Sequence, residues 1–133
     1  MNAMKNWSRR TLLRGSALAL AGTTTLAAAG KPKSIIHVVT LYWKDGTTAA
    51  QKKAVFDGIE KMGAAMPGIK NVWLKSINVQ GDIDGKKLES AFVMEFESAA
   101  ALKAYANHPA HKAWEKIYLP LRGESRTHDI TNE

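Results

Sequence analysis

Phe96-Glu97-Ser98-Ala99-Ala100-Ala101-Leu102-Lys103-Ala104-Tyr105-Ala106-Asn107-His108-Pro109-Ala110-His111-Lys112-Ala113-Trp114 is the stretch that decides how this 133-residue chain folds. It reads as the end of a strand, a helix starting at Ser98, a break at His108-Pro109 and a second helix. The Ser98 hydroxyl can accept from the free amides of a first helical turn, and the Ala, Leu and Lys that follow favour helix. Pro109 lacks an amide hydrogen and disfavours a helical residue before it, so the new helix begins there. Tyr105 then falls near the end of one helix and His111 in the first turn of the next. A phenol and an imidazole are brought close by the break.

Upstream of this stretch, residues 88–96 alternate as a strand, with Leu88, Ser90, Phe92, Met94 and Phe96 on one face and Ala91 and Val93 on the other. The first strand, residues 35–43, places Ile35, His37, Val39, Leu41 and Trp43 on one face. Its second face carries Ile36, Val38, Thr40 and Tyr42. Asp45-Gly46 turns the chain, and Thr48-Ala49-Ala50-Gln51 fits a capping box. Val55, Phe56, Ile59, Met62, Gly63 and Met66 follow at helical spacing until Pro67-Gly68. Residues 69–79 read as a second strand, with a change of phase that a bulge near Lys75 or burial on both sides would explain. Residues 80–87 read as a polar loop, residues 109–119 as the last helix, and residues 127–130 as a short final strand.

The order β-α-β-β-α-β is the split βαβ, or ferredoxin-like, plan of an α+β fold with an antiparallel sheet. Its helices cover only one sheet face. The second face of the first strand is nevertheless largely apolar, and Ala91 and Val93 extend it. Left in water, such a face would form a large contiguous apolar patch. The expected solution is a homodimer with two sheets packed face to face.

The N-terminus belongs to something else. Lys5, Arg9, Arg10 and Arg14 give it positive charge, with no acid among residues 1–29. A short apolar run, residues 15–26, leads to Ala27-Ala28-Ala29, the small-residue pattern of a cleavage site. Ser8-Arg9-Arg10-Thr11-Leu12-Leu13 resembles a twin-arginine export signal. The apolar run is short of the roughly 20 residues that cross a bilayer, so no stable membrane anchor is expected after cleavage. The expected layout is a signal at 1–29, a lead-in at 30–34 and one domain at 35–131, in a periplasmic or secreted protein.

Export also changes the charge. The chain carries a formal net charge of +7, but four of its 19 basic residues lie in the signal, leaving 15 against 12 acids, or +3. No basic run interleaved with aromatics remains, so nucleic acid is not an expected partner. The absence of cysteine excludes disulfides, zinc–thiolate sites and thiol nucleophiles.

Chemistry therefore falls to histidine and tyrosine. His37 shares a strand face with Ile35 and Val39, where a histidine is more often held in the core than used as a ligand. His108 and His111 are three apart, a spacing two metal ligands can share, but the proline interrupts the turn and no carboxylate sits at a matching position. No metal is expected, and His108 reads as a helix cap. His111, Trp114, Tyr118 and Leu121 recur on one helix face, which turns the His111 imidazole inward.

Phe96-Glu97-Ser98, Leu102, Tyr105, His108-Pro109 and His111 together resemble the signature of the Dabb family, the stress-responsive dimeric α/β-barrel proteins. The likeness runs from Ile36-His37-Val38-Val39 to Asp129-Ile130 and implies a dimeric α/β barrel. In the plant polyketide cyclases of that family, a Tyr and the second His of the motif are the acid–base pair of an aldol cyclisation. Tyr105 and His111 stand at those positions, and His37 matches a pocket histidine. Ser90 departs from the pattern, because the cyclases carry a further histidine there.

Three functions are then open. The first is a barrel that binds a small hydrophobic or aromatic molecule between sheet and helices, contacted by His37, Ser90, Phe92 and Trp114. The second is a cofactor-free cyclase or lyase with Tyr105 and His111 as catalytic pair. The third is a haem-binding or cofactor-free oxygenase of the dimeric-barrel type, with His37 or His111 as the iron ligand. The first two call for no cofactor.

Overall fold

Four antiparallel strands form the sheet, in the order β2-β5-β1-β6, with β1 (Ile35–Trp43) hydrogen-bonded to both β5 (Ser90–Phe96) and β6 (Arg122–Ile130). The edge strand β2 (Ile69–Trp73) pairs with β5. The computed structural model describes residues 30–133; the signal reading of residues 1–29 lies outside them. Residues 30–34 carry neither helix nor strand. The connections make this the ferredoxin-like arrangement expected from the sequence.

Helix α1 (Ala49–Ala65) is capped as its sequence dictates, the Thr48 hydroxyl accepting from the Gln51 amide and the Gln51 side chain accepting from the Thr48 amide. After it the chain reverses at Gly68, whose φ of +89° suits glycine. A Cβ there would also lie 2.6 Å from that of Ala101. Helix α2 (Ala99–Asn107) begins where Ser98 Oγ accepts from the Ala101 amide. It breaks at His108, and α3 (Pro109–Tyr118) starts with the His108 ring accepting from the Ala110 amide. His108 is thus the cap that its position suggests.

The helices cover one face of the sheet. Val39, Leu41 and Trp43 of β1 and Phe92, Met94 and Phe96 of β5 point into that core, joined by Val55, Ile59 and Met62 of α1. Gly58 lets α1 and α3 approach: a Cβ would stand 2.6 Å from the Trp114 indole, whose Nε1 donates to the Val55 carbonyl at 2.9 Å.

Three expectations are corrected. β2 ends at Trp73 rather than Val79, and its register shift falls between Ile69 and Asn71 rather than near Lys75. Beyond it the Ser76 hydroxyl accepts from the Ala91 amide and donates to the Ala91 carbonyl, meeting the polar groups that a longer strand would have paired. The polar loop contains a two-stranded hairpin, β3 (Asp82–Ile83) and β4 (Lys86–Lys87), turning at Asp84 and Gly85 with φ of 50° and 81°. β6 begins at Arg122, five residues before the expected Thr127, and the longer strand brings more side chains over the sheet.

Candidate functional site

A cavity of about 460 Å³ lies between the inner sheet face and the α2–α3 pair. Every element around the helix break contributes to it. The sheet gives His37 and Val39 from β1 and Phe92 from β5. Leu102, Tyr105 and Ala106 come from α2, and His111, Trp114, Glu115 and Tyr118 from α3. β6 adds Arg122, Ser125, Thr127 and Asp129.

The break sets the central pair. Tyr105 and His111 meet with ring centroids 4.2 Å apart. His111 Nδ1 lies 3.2 Å from the Ala106 carbonyl, which only accepts, so Nδ1 carries hydrogen and Nε2 keeps the lone pair in the neutral ring. Glu115 Oε1 stands 3.8 Å from Nε2, close enough to stabilise a proton arriving there. Burial pushes the His111 pKa below its ordinary value; the Ala106 carbonyl and the Glu115 charge pull back, while Lys112 and His37 add to the lowering. Tyr105 shifts the opposite way. Burial first, then Glu115 and Tyr118, raises its pKa well above the usual phenol range, so it stays protonated and able to donate.

His37 joins this centre from the sheet, its ring 5.9 Å from that of Tyr105 in an edge contact. Its Cα partner across β6 is Asp129, and Nδ1 meets Asp129 Oδ1 at 2.6 Å. With the carboxylate as acceptor, Nδ1 donates, which leaves Nε2 as the free nitrogen. Along α3, His111 stacks on Trp114 at 5.7 Å and Trp114 on Tyr118 at 4.6 Å, an aromatic wall faced by Phe92. At its far end the Tyr118 hydroxyl is buried without a hydrogen-bond partner among the described residues. Burial raises the Tyr118 pKa, against the opposing influence of Ser125 and Arg122 beside it.

Tyr105, His111, His37, Phe92 and Trp114, all named from the sequence, line one cavity. Ser90 is not. It shares the inner face but lies beyond the cavity lining, its hydroxyl accepting from Trp43 Nε1 at 2.8 Å. The residues that sequence reasoning missed are Asp129, Ser125 and Thr127 on β6, and Glu115 and Arg122. The alternation Ser125, Thr127, Asp129 was a signal for the strand face, hidden by starting that strand too late. His108 spends its Nδ1 on the helix cap.

A family model described as the stress responsive A/B barrel domain, Dabb, matches residues 35–132. The chain belongs to this family. Among curated proteins, olivetolic acid cyclase from Cannabis sativa is 28% identical over 86 residues, which cover 64% of this chain and 83% of the cyclase. Among solved structures, a dimeric ferredoxin-like protein of unknown function from Thermobifida fusca is 26% identical with a TM-score of 0.61, over 74% of this chain and 90% of that one. Hydroxynitrile lyase from Passiflora edulis superposes with a TM-score of 0.66 over 77% of this chain and 95% of that one. At 14% identity the lyase speaks for the fold alone. The Dabb fold of this chain thus places its motif tyrosine and histidine on either side of one helix break.

Proposed function

We propose that the protein is an exported, homodimeric Dabb barrel that binds a small aromatic carbonyl compound and moves a proton on it without a cofactor, as a cyclase or lyase does. One observation carries this: the His111 hydrogen bond to the Ala106 carbonyl, which leaves Nε2 basic beside the protonated Tyr105 in a cavity. In such a step Nε2 takes a proton from the carbon next to the carbonyl, and that bond's electron pair moves onto the carbonyl oxygen. Tyr105 donates a hydrogen bond to the enolate oxygen, where charge develops. Glu115 steadies the imidazolium that results. The similarity to a plant cyclase supports this class of chemistry.

Deuterium uptake from heavy water at the methyl of 2-acetylnaphthalene, followed by proton NMR, tests the step. The protein should accelerate uptake, and His111→Ala or Tyr105→Phe should lower the enzymatic rate by about 10²–10⁴-fold. Uptake no faster than in buffer, or unchanged in His111→Ala, would overturn it. Export follows from Arg9-Arg10 and Ala27-Ala28-Ala29: protein from the cell envelope should begin near Gly30. Changing both arginines to lysine should hold the precursor in the cytoplasm, and full-length cytoplasmic protein with intact arginines would count against it.

The homodimer is proposed from the outer sheet face. Trp73, Val93, Val38 and His128 form one row of register partners across it, next to Ile36 and Ile130. Trp73 and Ile130 are 51% and 58% exposed, a cost that a second copy of the sheet would remove.

A further inference from the structure

We propose that the Arg122 end of the cavity is an anion subsite, and that the ligand is an elongated aromatic molecule with a carboxylate about 10 Å from its reacting carbonyl. This rests on the cavity being a ligand site, and it adds the substrate class. Arg122 is half-buried and lines the cavity, with its guanidinium 5.6 Å from the Tyr118 ring centroid. Nη1 donates to the Ser125 hydroxyl. Among the described residues, no Asp or Glu forms an ion pair with Arg122. The two carboxylates that line the same cavity are engaged elsewhere, Asp129 with His37 at 2.6 Å and Glu115 with Lys112 at 3.1 Å.

Beside this cation lies the buried Tyr118 hydroxyl, which has Ser125 and Arg122 for neighbours but makes no close hydrogen bond among the described residues. A guanidinium presents five N–H donors in a planar fork, and Ser125 takes one. A carboxylate can receive two of the others side by side while the phenol reaches the same group. One half-buried cation balances one charge, which favours a carboxylate over a doubly charged phosphate.

The length comes from α3. Tyr118 lies seven residues after His111, and a helix rises ~1.5 Å per residue, so the subsite stands about 10 Å from the proton-transfer centre. Between them runs the stacked series His111, Trp114, Tyr118, a continuous wall for a flat molecule. The cavity volume of about 460 Å³ falls within the range of roughly 300–1,000 Å³ usual for small-molecule sites.

The test uses 4′-acetylbiphenyl-4-carboxylate and its neutral carboxamide, with binding measured by calorimetry. The carboxylate should bind roughly ten- to a hundred-fold more tightly than the amide, as charge-assisted hydrogen bonds imply. Arg122→Gln should erase that preference by weakening the carboxylate far more than the amide, while Arg122→Lys should keep part of it. Added salt should weaken only the carboxylate, a measurement that needs no variant. Equal binding of both probes to the unaltered protein, or equal weakening of both by Arg122→Gln, would overturn the subsite. Deuterium uptake at the acetyl methyl reports separately on proton transfer. Carboxylate preference without catalysed uptake retains the subsite and removes the proposed chemistry; catalysed uptake without preference does the reverse. Binding of neither probe removes both.

Discussion

The two faces of the sheet are built from the same strands and have opposite fates. On the inner face Leu41, Met94 and Phe96 are fully buried, at 0% exposure, beneath helices of their own chain. On the outer face Ile36, Val38, Thr40, Tyr42, Ala91 and Val93 are only half-buried. The inner face also holds the cavity, where the helix break leaves room among apolar side chains for imidazoles, phenols and a guanidinium. Packing is completed within one chain on one side, and on the other calls for a second copy. The difference shows that strand alternation alone does not say what covers each face.

The largest expected effect contrasts neighbouring strand positions. Leu41→Asp should abolish folding, because an unpaired charge in the core costs several kcal/mol. Val38→Asp should leave a folded chain that sediments as a monomer. Circular dichroism and sedimentation velocity on both variants distinguish the faces. A Val38→Asp variant that sediments like the unaltered protein would break the comparison.

A smaller effect comes from the inner-face imidazole. Burial lowers the His111 pKa, so the native state binds that proton less readily than the unfolded chain, whose histidine titrates near ~6.5. Its contribution to stability is therefore complete above that pH and is lost as the pH falls through the lowered native value. Melting curves should show a loss below about pH 6.5 that His111→Ala diminishes. The proposed proton transfer should slow in the same direction, as His111 becomes protonated. A native midpoint above the ordinary histidine value would show that Glu115 and Ala106 outweigh burial. The smallest effect belongs to the cap of α1, a helix that covers only the inner face. Thr48→Ala should cost about 1 kcal/mol in denaturant unfolding, with sedimentation unchanged. A change in sedimentation of the Thr48→Ala variant would mean that the two faces are coupled.

Some elements were legible because their signals are local. Ser98, Pro109 and His108 act within a single turn, so the break between α2 and α3 lies where those residues put it. The capping box at Thr48 is of the same kind. The segment after Trp73 was not legible, because its apolar residues suggested a strand while Ser76 took the place of the ladder opposite Ala91. Ile77, read as strand, is 99% exposed. β6 was cut short because Arg122, Gly123, Glu124 and Ser125 lack the apolar alternation that marks a strand. Its hydrogen bonds are decided by β1, already a strand on other grounds.

By itself the sequence determined the βαββαβ order, the helix break and the family to which that break belongs. It also marked Tyr105, His111 and His37, since a motif and its spacing are properties of neighbours along the chain. Only the tertiary structure decided which polar groups meet. Asp129 reaches His37 through a register 92 residues apart, Ser90 is taken by Trp43, and Arg122 ends without a carboxylate among the described residues. Pairings of that kind depend on strand register and helix packing, and in those the whole core settles each position together.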